Sequence, residues 1–216
     1  MYKKQQDTDM LLLCLYVDDI VYMGLSERML KEFKEKMMGT FEMTYPGQLK
    51  YILGLEVIQL NDSLFVSQHK YAVDLLIKSG MKNCKLVASP MNSNEQLHLQ
   101  DNSGSVCPTK YRSIVGGLLY LTHTRPDLMF VVSVVSHFMN SPSTHHFGAL
   151  KRILRYVSGT LNLGLLYTTS ENFNLVGHSD SDWGNSLDDR RSTIGWCFTL
   201  GSAIIACAVI AWSSKK

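Results

Sequence analysis

Two apolar runs near the start of the chain, residues 11–17 and 20–23, flank the adjacent aspartates Asp18 and Asp19. Runs of this length that are rich in β-prone residues predict a pair of buried strands. Because no Gly, Pro or Asn lies between them, we expect the acidic pair itself to form the turn. Two interpretations of the pair stay open here. It is either a solvent-exposed hairpin turn that tolerates Asp, or a site for a hard divalent cation such as Mg²⁺, which offsets the cost of burying two neighbouring carboxylates.

Apolar residues recur at helical spacing through much of the remaining chain. Ser26 is expected to cap the first helix and Gly39 to end it, and Pro126 fits the first turn of a later one. The predicted helices cover residues 26–38, 70–79, 111–123, 127–140 and 143–158. The predicted strands cover residues 51–59, 63–67 and 175–183, and the Ser-, Asn- and Gln-rich residues 83–109 are expected to be an exposed linker.

A long uncharged run extends from residue 194 to residue 212 and has two interpretations. Its length is close to the ~20 residues that cross a bilayer as a helix, which suggests a tail anchor. Several Gly, Ser and Thr residues interrupt it, however, so it also fits two or three core strands with a turn at Gly201-Ser202.

Composition and charge describe an ordinary globular protein. The net charge of +2, from 21 basic and 19 acidic residues, is too small to indicate nucleic-acid binding by itself. The five scattered cysteines show no metal-binding spacing, and no signal peptide precedes the first strand, so reduced thiols and an intracellular location in cytoplasm or nucleus are expected. The adjacent His145 and His146 would point about 100° apart on a helix, so they are expected to be surface or packing residues, not a metal pair.

The sequence Tyr16-Val17-Asp18-Asp19 resembles the Y-x-D-D box of reverse transcriptases, and its context LYVDDIVYMG resembles the box of copia-type LTR retrotransposons. The resemblance implies an α+β fold that begins with part of a polymerase palm, an antiparallel hairpin with a helix. It also implies that Asp18 and Asp19 are catalytic ligands of Mg²⁺ or Mn²⁺ and that Tyr16 lies beside the primer end.

Two later phrases, YRSIVGGLLYLTHTRPD and LKRILRYVSGT, resemble the region after the copia-type palm, which is commonly taken as a helical thumb and connection. By that resemblance Lys151, Arg152 and Arg155 contact nucleic-acid phosphates. For any one of them, an amphipathic helix with an ordinary solvated face is the stronger interpretation. The phrase HSDSDW, followed by DDRRST, resembles the opening of the RNase H α/β domain. Asp180 would then be a metal ligand, and Asp182, two residues along the same strand face, is not excluded.

These resemblances predict three regions: a partial palm over residues 1–68, a helical thumb and connection over 69–165, and an RNase H-like start over 166–216. In the family, a third palm aspartate and the fingers lie before the position that corresponds to Met1. The other RNase H carboxylates lie after the position that corresponds to Lys216. About five residues near 206–210 look inserted relative to the family. We therefore expect a remnant of an RNA-directed DNA polymerase and RNase H polyprotein, inactive by itself.

Partners and alternatives follow from the same reasoning. The expected partners are an RNA/DNA template–primer and a chain that supplies the missing fingers, with no small-molecule cofactor and no membrane. One alternative is a non-catalytic nucleic-acid-binding or interaction module. The other is a tail-anchored membrane protein that uses residues 194–212.

Overall fold

The fold contains both helices and antiparallel sheets, as expected for the α+β class. The computed structural model describes residues 1–93, 95–169, 174–184, 186–200 and 208–216. The chain divides into two compact units, Met1–Leu49 and Lys50–Lys216.

The first unit is a three-stranded antiparallel sheet with one helix. Its strands are β1 (Tyr2–Gln6), β2 (Asp9–Tyr16) and β3 (Asp19–Gly24), in that order across the sheet, and its helix is α1 (Glu27–Thr40). Leu11 and Met29 are buried, and the rings of Tyr22 and Phe33 lie 5.0 Å apart. The unit is therefore held together by the apolar stripe of α1 against one face of the hairpin.

The start of α1 confirms the prediction and its end corrects it. The Ser26 hydroxyl accepts a hydrogen bond from the Met29 N–H, as an N-cap should. Gly39 does not end the helix, which continues to Thr40. The Thr40 hydroxyl bonds to the Lys36 carbonyl, and the Phe41 N–H bonds to the Met37 carbonyl, so the last turn is satisfied without a left-handed glycine.

The second unit combines helices with two sheets. One sheet has the strand order β4 (Tyr51–Ile52), β5 (Leu55–Gln59), β6 (Ser63–Ser67) and β7 (Leu165–Thr168). The other has the order β10 (Ala208–Lys215), β9 (Ile194–Leu200) and β8 (Leu175–Ser181). The helices are α2 (His69–Ser79), α3 (Pro108–Leu121), a 3₁₀ turn (Pro126–Leu128), α4 (Met129–Ser136) and α5 (Thr144–Gly159).

The core of this unit lies among α2, α3, α4 and α5. Leu118, Val132 and Leu150 are completely buried there. Tyr111 is also completely buried, its hydroxyl donates to the Val135 carbonyl over 2.9 Å, and burial raises the pKa of that hydroxyl. The helices thus provide the rigid support on which the two sheets of the unit rest.

The prediction of one continuous strand over residues 51–59 is wrong. These residues form two strands, β4 and β5, that are joined by a tight turn. Leu53 and Gly54 both adopt positive φ, 49° and 76°, as a two-residue hairpin turn requires. The Tyr120 hydroxyl donates to the Leu53 carbonyl, and a β-carbon on Gly54 would lie 3.1 Å from that hydroxyl oxygen. Gly54 therefore allows both the turn and its close contact with α3.

The polar residues 83–109 contain a longer irregular segment before α3, but part of it is not exposed. Leu97 is only 8% exposed and belongs to the helical core. Its side chain and that of Met91, which packs against the same core, hold this segment to the helices.

The uncharged run after residue 193 forms strands where the structure describes it. β9 and β10 pair in antiparallel fashion, and no helix in the described part of the chain is long and apolar enough to cross a membrane. The helical membrane anchor is therefore not supported.

The predicted turn at Gly201-Ser202 lies outside the described residues, as does part of the expected insertion. Val209 pairs with Thr199 and Ala211 with Phe198, so a bulge falls at residue 210.

Candidate active site

The Y-V-D-D sequence lies at the tip of the hairpin formed by β2 and β3. Tyr16 and Asp19 are the last paired residues, so Val17 and Asp18 form the two-residue loop. The prediction that the acidic pair alone makes the turn is wrong by one residue, because Asp19 already belongs to β3. The antiparallel pairing behind the tip fixes where both carboxylates project.

The turn places an unusual residue in a left-handed conformation. Val17 has φ 50° and is 87% exposed. A β-branched residue with positive φ is strained by about 1–3 kcal/mol, since its side chain crowds the backbone. Among the described residues, the side chain of Val17 has little packing to offset that strain, so the hairpin stores it at the tip.

Replacing Val17 by glycine is expected to stabilise the hairpin by about 1 kcal/mol, because glycine adopts positive φ without the steric penalty. The measurement is slower amide hydrogen exchange in β2 and β3. Asp7, which has φ 53° in the turn before β2, gives a matched control. Since aspartate tolerates this conformation better than valine, Asp7→Gly should change exchange much less. Equal or faster exchange in the Val17→Gly protein would contradict the strain.

Both carboxylates at the tip are exposed, and Tyr16 is 54% exposed. Among the described residues, neither the Asp18 nor the Asp19 side chain forms an ion pair or a hydrogen bond, and no group of three or more His, Cys, Asp and Glu side chains is arranged to hold a metal ion. The geometry is that of the exposed turn. Because neither carboxylate is buried, no cation is needed to offset a cost of burying their charges. The donors themselves still suit Mg²⁺, which proteins often hold through one or two carboxylates, with water and substrate phosphates completing the shell.

The three basic residues predicted to contact phosphates share α5 but differ in surroundings. Lys151 is exposed, with its ammonium 4.7 Å from the centre of the Phe147 ring. Arg152 and Arg155 are half-buried, and an Arg152 Nη2 donates to the Ser89 hydroxyl over 2.9 Å. Arg152 is therefore in contact with the segment before α3, a feature that the helical pattern of α5 alone does not show.

Asp180 is exposed near the end of β8 and accepts a hydrogen bond from the Ser181 N–H over 2.9 Å. It lines a cleft of about 650 Å³ together with Trp196 and Trp212. Asp182 lines the same cleft, but one of its oxygens accepts from the Thr193 N–H over 3.0 Å. Of the two aspartates, Asp182 thus has a structural role in joining the end of β8 to the start of β9.

Two buried polar clusters in the second unit were not predicted. Arg125 is 2% exposed and pairs with Asp127 through two hydrogen bonds of 2.7–2.8 Å. His146 is completely buried and stacks on Phe138, which confirms a packing role, whereas the side chain of its neighbour His145 is 40% exposed. Two features of the sequence could have indicated these clusters. One is the R-P-D sequence that brings Arg125 close to Asp127, and the other is the serine three residues before His146.

Comparison with known proteins identifies the family. A family model described as "Reverse transcriptase (RNA-dependent DNA polymerase)" matches residues 1–93. The chain is 37% identical, over 98% of its length, to the retrovirus-related Pol polyprotein from transposon RE2 of Arabidopsis thaliana, and it spans 14% of that polyprotein. It is 32% identical, over 99% of its length, to the corresponding polyprotein from transposon TNT 1-94 of Nicotiana tabacum, of which it spans 16%.

A shorter relative matches along most of both chains. It is an uncharacterized mitochondrial protein of Arabidopsis thaliana, 39% identical over 94% of this chain, of which the chain spans 82%. No solved structure matches the chain. An exposed Y-V-D-D hairpin in a chain with these relatives defines a reverse transcriptase-like protein. The chain belongs to the reverse transcriptase family of copia-type retrotransposon Pol polyproteins.

Proposed function

We propose that this chain is the part of a retrotransposon RNA-directed DNA polymerase that carries the metal-binding hairpin of the palm and the helices beside the template–primer. Residues 1–68 would be palm, 69–165 thumb and connection, and 166–216 the start of an RNase H-like region in which Asp180 is a metal ligand. The observation that carries the proposal is the position of Asp18 and Asp19 at the exposed tip of a hairpin.

In this proposal Asp18 and Asp19 hold Mg²⁺ or Mn²⁺ and Tyr16 packs beside the primer end. Bound there, the ions would activate the primer hydroxyl and stabilise the leaving pyrophosphate. The basic side chains Lys151, Arg152 and Arg155 would contact backbone phosphates, which supply most sequence-independent affinity for nucleic acid.

The proposal includes inactivity of the isolated chain. Two-metal chemistry needs ligands that fix both ions, and the described residues place no third His, Cys, Asp or Glu side chain with Asp18 and Asp19. A further ligand, and the parts that hold the incoming nucleotide, would be supplied from outside these 216 residues. Primer extension on an RNA template with Mg²⁺ or Mn²⁺ should therefore not exceed that of the Asp18→Asn/Asp19→Asn protein, and extension above that control would contradict inactivity.

Metal binding at the hairpin tests the site independently of activity. Paramagnetic Mn²⁺ titrated into the full chain should broaden the amide NMR signals of residues 16–19 selectively. The Asp18→Asn/Asp19→Asn protein should lose this broadening, whereas Asp7→Asn, at the exposed turn between β1 and β2, should keep it. Equal broadening at both turns, or persistence in the double variant, would overturn the metal assignment.

A further inference from the structure

The segment before α3 runs along one face of α5. A β-carbon on Gly159 would lie 3.7 Å from Leu86 Cβ and 3.9 Å from the Val87 carbonyl oxygen. Toward the other end of the helix, Arg152 Nη2 donates to the Ser89 hydroxyl over 2.9 Å. Ser89 is exposed, lies in irregular backbone and is followed by Pro90. The serine hydroxyl is therefore both open to solvent and already in contact with a guanidinium group.

The two segments that meet at Ser89 carry basic but no acidic residues. Residues 75–94 and 128–170 contain no aspartate or glutamate at all. The basic residues in these two segments are Lys78, Lys82, Lys85, Lys151, Arg152 and Arg155. A negatively charged group at Ser89 would meet the Arg152 guanidinium, and neither segment supplies an acidic residue to oppose it.

The two arginines also have unused donors. The Nε atoms of Arg152 and Arg155 are buried and have no acceptor among the described residues. Buried donors without partners are rare, because each forgoes a hydrogen bond to water. Each guanidinium group therefore has a donor that a further acceptor could engage.

We propose that Ser89 is a phosphorylation site and that Arg152, with Arg155 one helical turn away, holds the phosphate group. The donor would be ATP and the catalyst a protein kinase that acts on serine followed by proline. The Ser89 oxygen bonds to the γ-phosphorus, the bond from that phosphorus to ADP breaks, and the hydroxyl proton passes to the kinase base. The added group carries about −1.5 to −2 charges and three acceptor oxygens, which suit a guanidinium pair.

One consequence rests on the proposed function. A phosphate held by Arg152 occupies the guanidinium group that would otherwise contact the template–primer backbone. Phosphorylation of Ser89 should therefore weaken binding of an RNA–DNA hybrid and lower the salt dependence of that binding.

The sequence contains a matched control, because Ser141-Pro142 is its other Ser-Pro dipeptide. Ser141 is exposed, and its hydroxyl has no hydrogen-bond partner among the described residues. We would install phosphoserine at position 89 or 141 of the full chain and titrate each phosphate by ³¹P NMR. The pKa of the Ser89 phosphate should lie about 1 below that of the Ser141 phosphate, since a nearby cation favours the dianion.

Variants assign the effect to Arg152. Arg152→Gln should remove most of the difference, whereas Lys151→Gln, which removes a charge that lies over the Phe147 ring and forms no hydrogen bond to Ser89, should change it much less. Circular dichroism checks that each protein is folded. Equal pKa values at positions 89 and 141, or a lowered value that Arg152→Gln does not change, would overturn the site.

Kinase labelling and hybrid binding complete the test. A proline-directed kinase with ATP should add one phosphate at Ser89 and none there in Ser89→Ala, and the absence of phosphate at Ser89 would overturn the modification. Weaker hybrid binding by the phosphorylated chain would support the consequence for template contact. A lowered phosphate pKa with unchanged hybrid binding would support the phosphate site and contradict the proposed role of Arg152 toward nucleic acid.

Discussion

Replacing Asp127 by alanine is expected to lower the free energy of unfolding by about 3 kcal/mol. The reason is the guanidinium of Arg125, whose side chain is 3% exposed and which would lose its only anionic partner among the described residues. Breaking a buried pair leaves an unpaired charge and typically costs 3–5 kcal/mol. We expect the lower end of that range, because the Asp127 side chain is 33% exposed and water already screens part of the pair.

The contacts around Arg125 explain why this pair matters to the fold. Its remaining donors bond to the Thr160 carbonyl and hydroxyl over 2.8–2.9 Å, and the Tyr156 hydroxyl donates to Asp127 over 3.0 Å. The cluster thus joins the turn after α3 to the end of α5. Burial raises the pKa of Asp127, but the hydrogen bonds and charge of Arg125 outweigh it and leave that pKa below its usual value.

Chemical denaturation of the full chain, followed by circular dichroism, measures the effect. Asp74→Ala is the matched control, because Asp74 is exposed on α2 and its carboxylate has no partner among the described residues. It should cost less than about 0.5 kcal/mol. Asp127→Asn, which removes the charge but keeps the shape, should fall between the two. Equal losses for Asp127→Ala and Asp74→Ala would show that the cluster does not stabilise the fold.

Local patterns predicted most of the helices well and the turns poorly. The helix predicted over residues 127–140 is an exception, because it is a 3₁₀ turn followed by α4, which ends at Ser136. Ser26 caps α1 as expected, and Ser143 precedes α5, since both positions depend on interactions within a few residues. Val17 and Leu53 adopt positive φ although their side chains disfavour it, so propensity gives no warning of either turn. In both cases strand pairing on each side determines the backbone, and that pairing is not a local property.

In the candidate site, too, local sequence predicted the features within a motif but not the long-range contacts. The Y-V-D-D sequence identified the hairpin and its carboxylates, because the motif is contiguous. The contact between Arg152 and Ser89 joins residues 63 positions apart, and the contact between Arg125 and Thr160 joins residues 35 apart. Such contacts arise only from the packing of α5 against its neighbours, so a single sequence does not reveal them.

The N-terminal end of α5 contains a titratable cluster whose parts come from three places in the chain. The Ser143 N–H donates to His146 Nδ1 over 3.0 Å, and the His146 N–H donates to the Ser143 hydroxyl over 3.1 Å, which forms a reciprocal capping box. With Nδ1 accepting, Nε2 carries the proton and donates to the His98 carbonyl over 3.1 Å. The Asp101 carboxylate accepts from the hydroxyls of Ser143 and Ser103. The neutral imidazole is the form that fits these contacts.

Acid is therefore expected to destabilise the second unit, beginning near the ordinary histidine pKa of about 6.5. Burial is the main cause that lowers the pKa of His146 below its usual value, against the opposing effects of the His98 carbonyl and the Asp101 charge. The unfolded chain takes up a proton near pH 6.5, but the folded chain does so only at lower pH. Stability is thus complete above about pH 6.5 and is lost as the pH falls through the folded pKa, by at most about 1.4 kcal/mol per pH unit.

A second acidic transition should follow. Hydrogen bonds from Ser143 and Ser103 lower the pKa of Asp101, so its contribution is complete above the ordinary carboxyl pKa of about 4 and is lost below it. Because burial also lowers the pKa of His137, the wild-type slope near pH 6 includes more than one histidine. Only a difference between variants assigns the share of His146.

His146→Gln separates that share from the rest, because glutamine can keep the capping box with Ser143 but does not titrate. The free energy of unfolding, measured by denaturation between pH 5 and pH 8, should fall less steeply with acid in His146→Gln than in the wild type. It should also be lower at pH 8, since the stacking of His146 on Phe138, with ring centres 3.8 Å apart, is lost. His145→Gln changes a neighbouring imidazole that is 40% exposed and should change the slope much less than His146→Gln does. Equal slopes in the wild type and His146→Gln would mean that the buried imidazole does not cause the acid sensitivity.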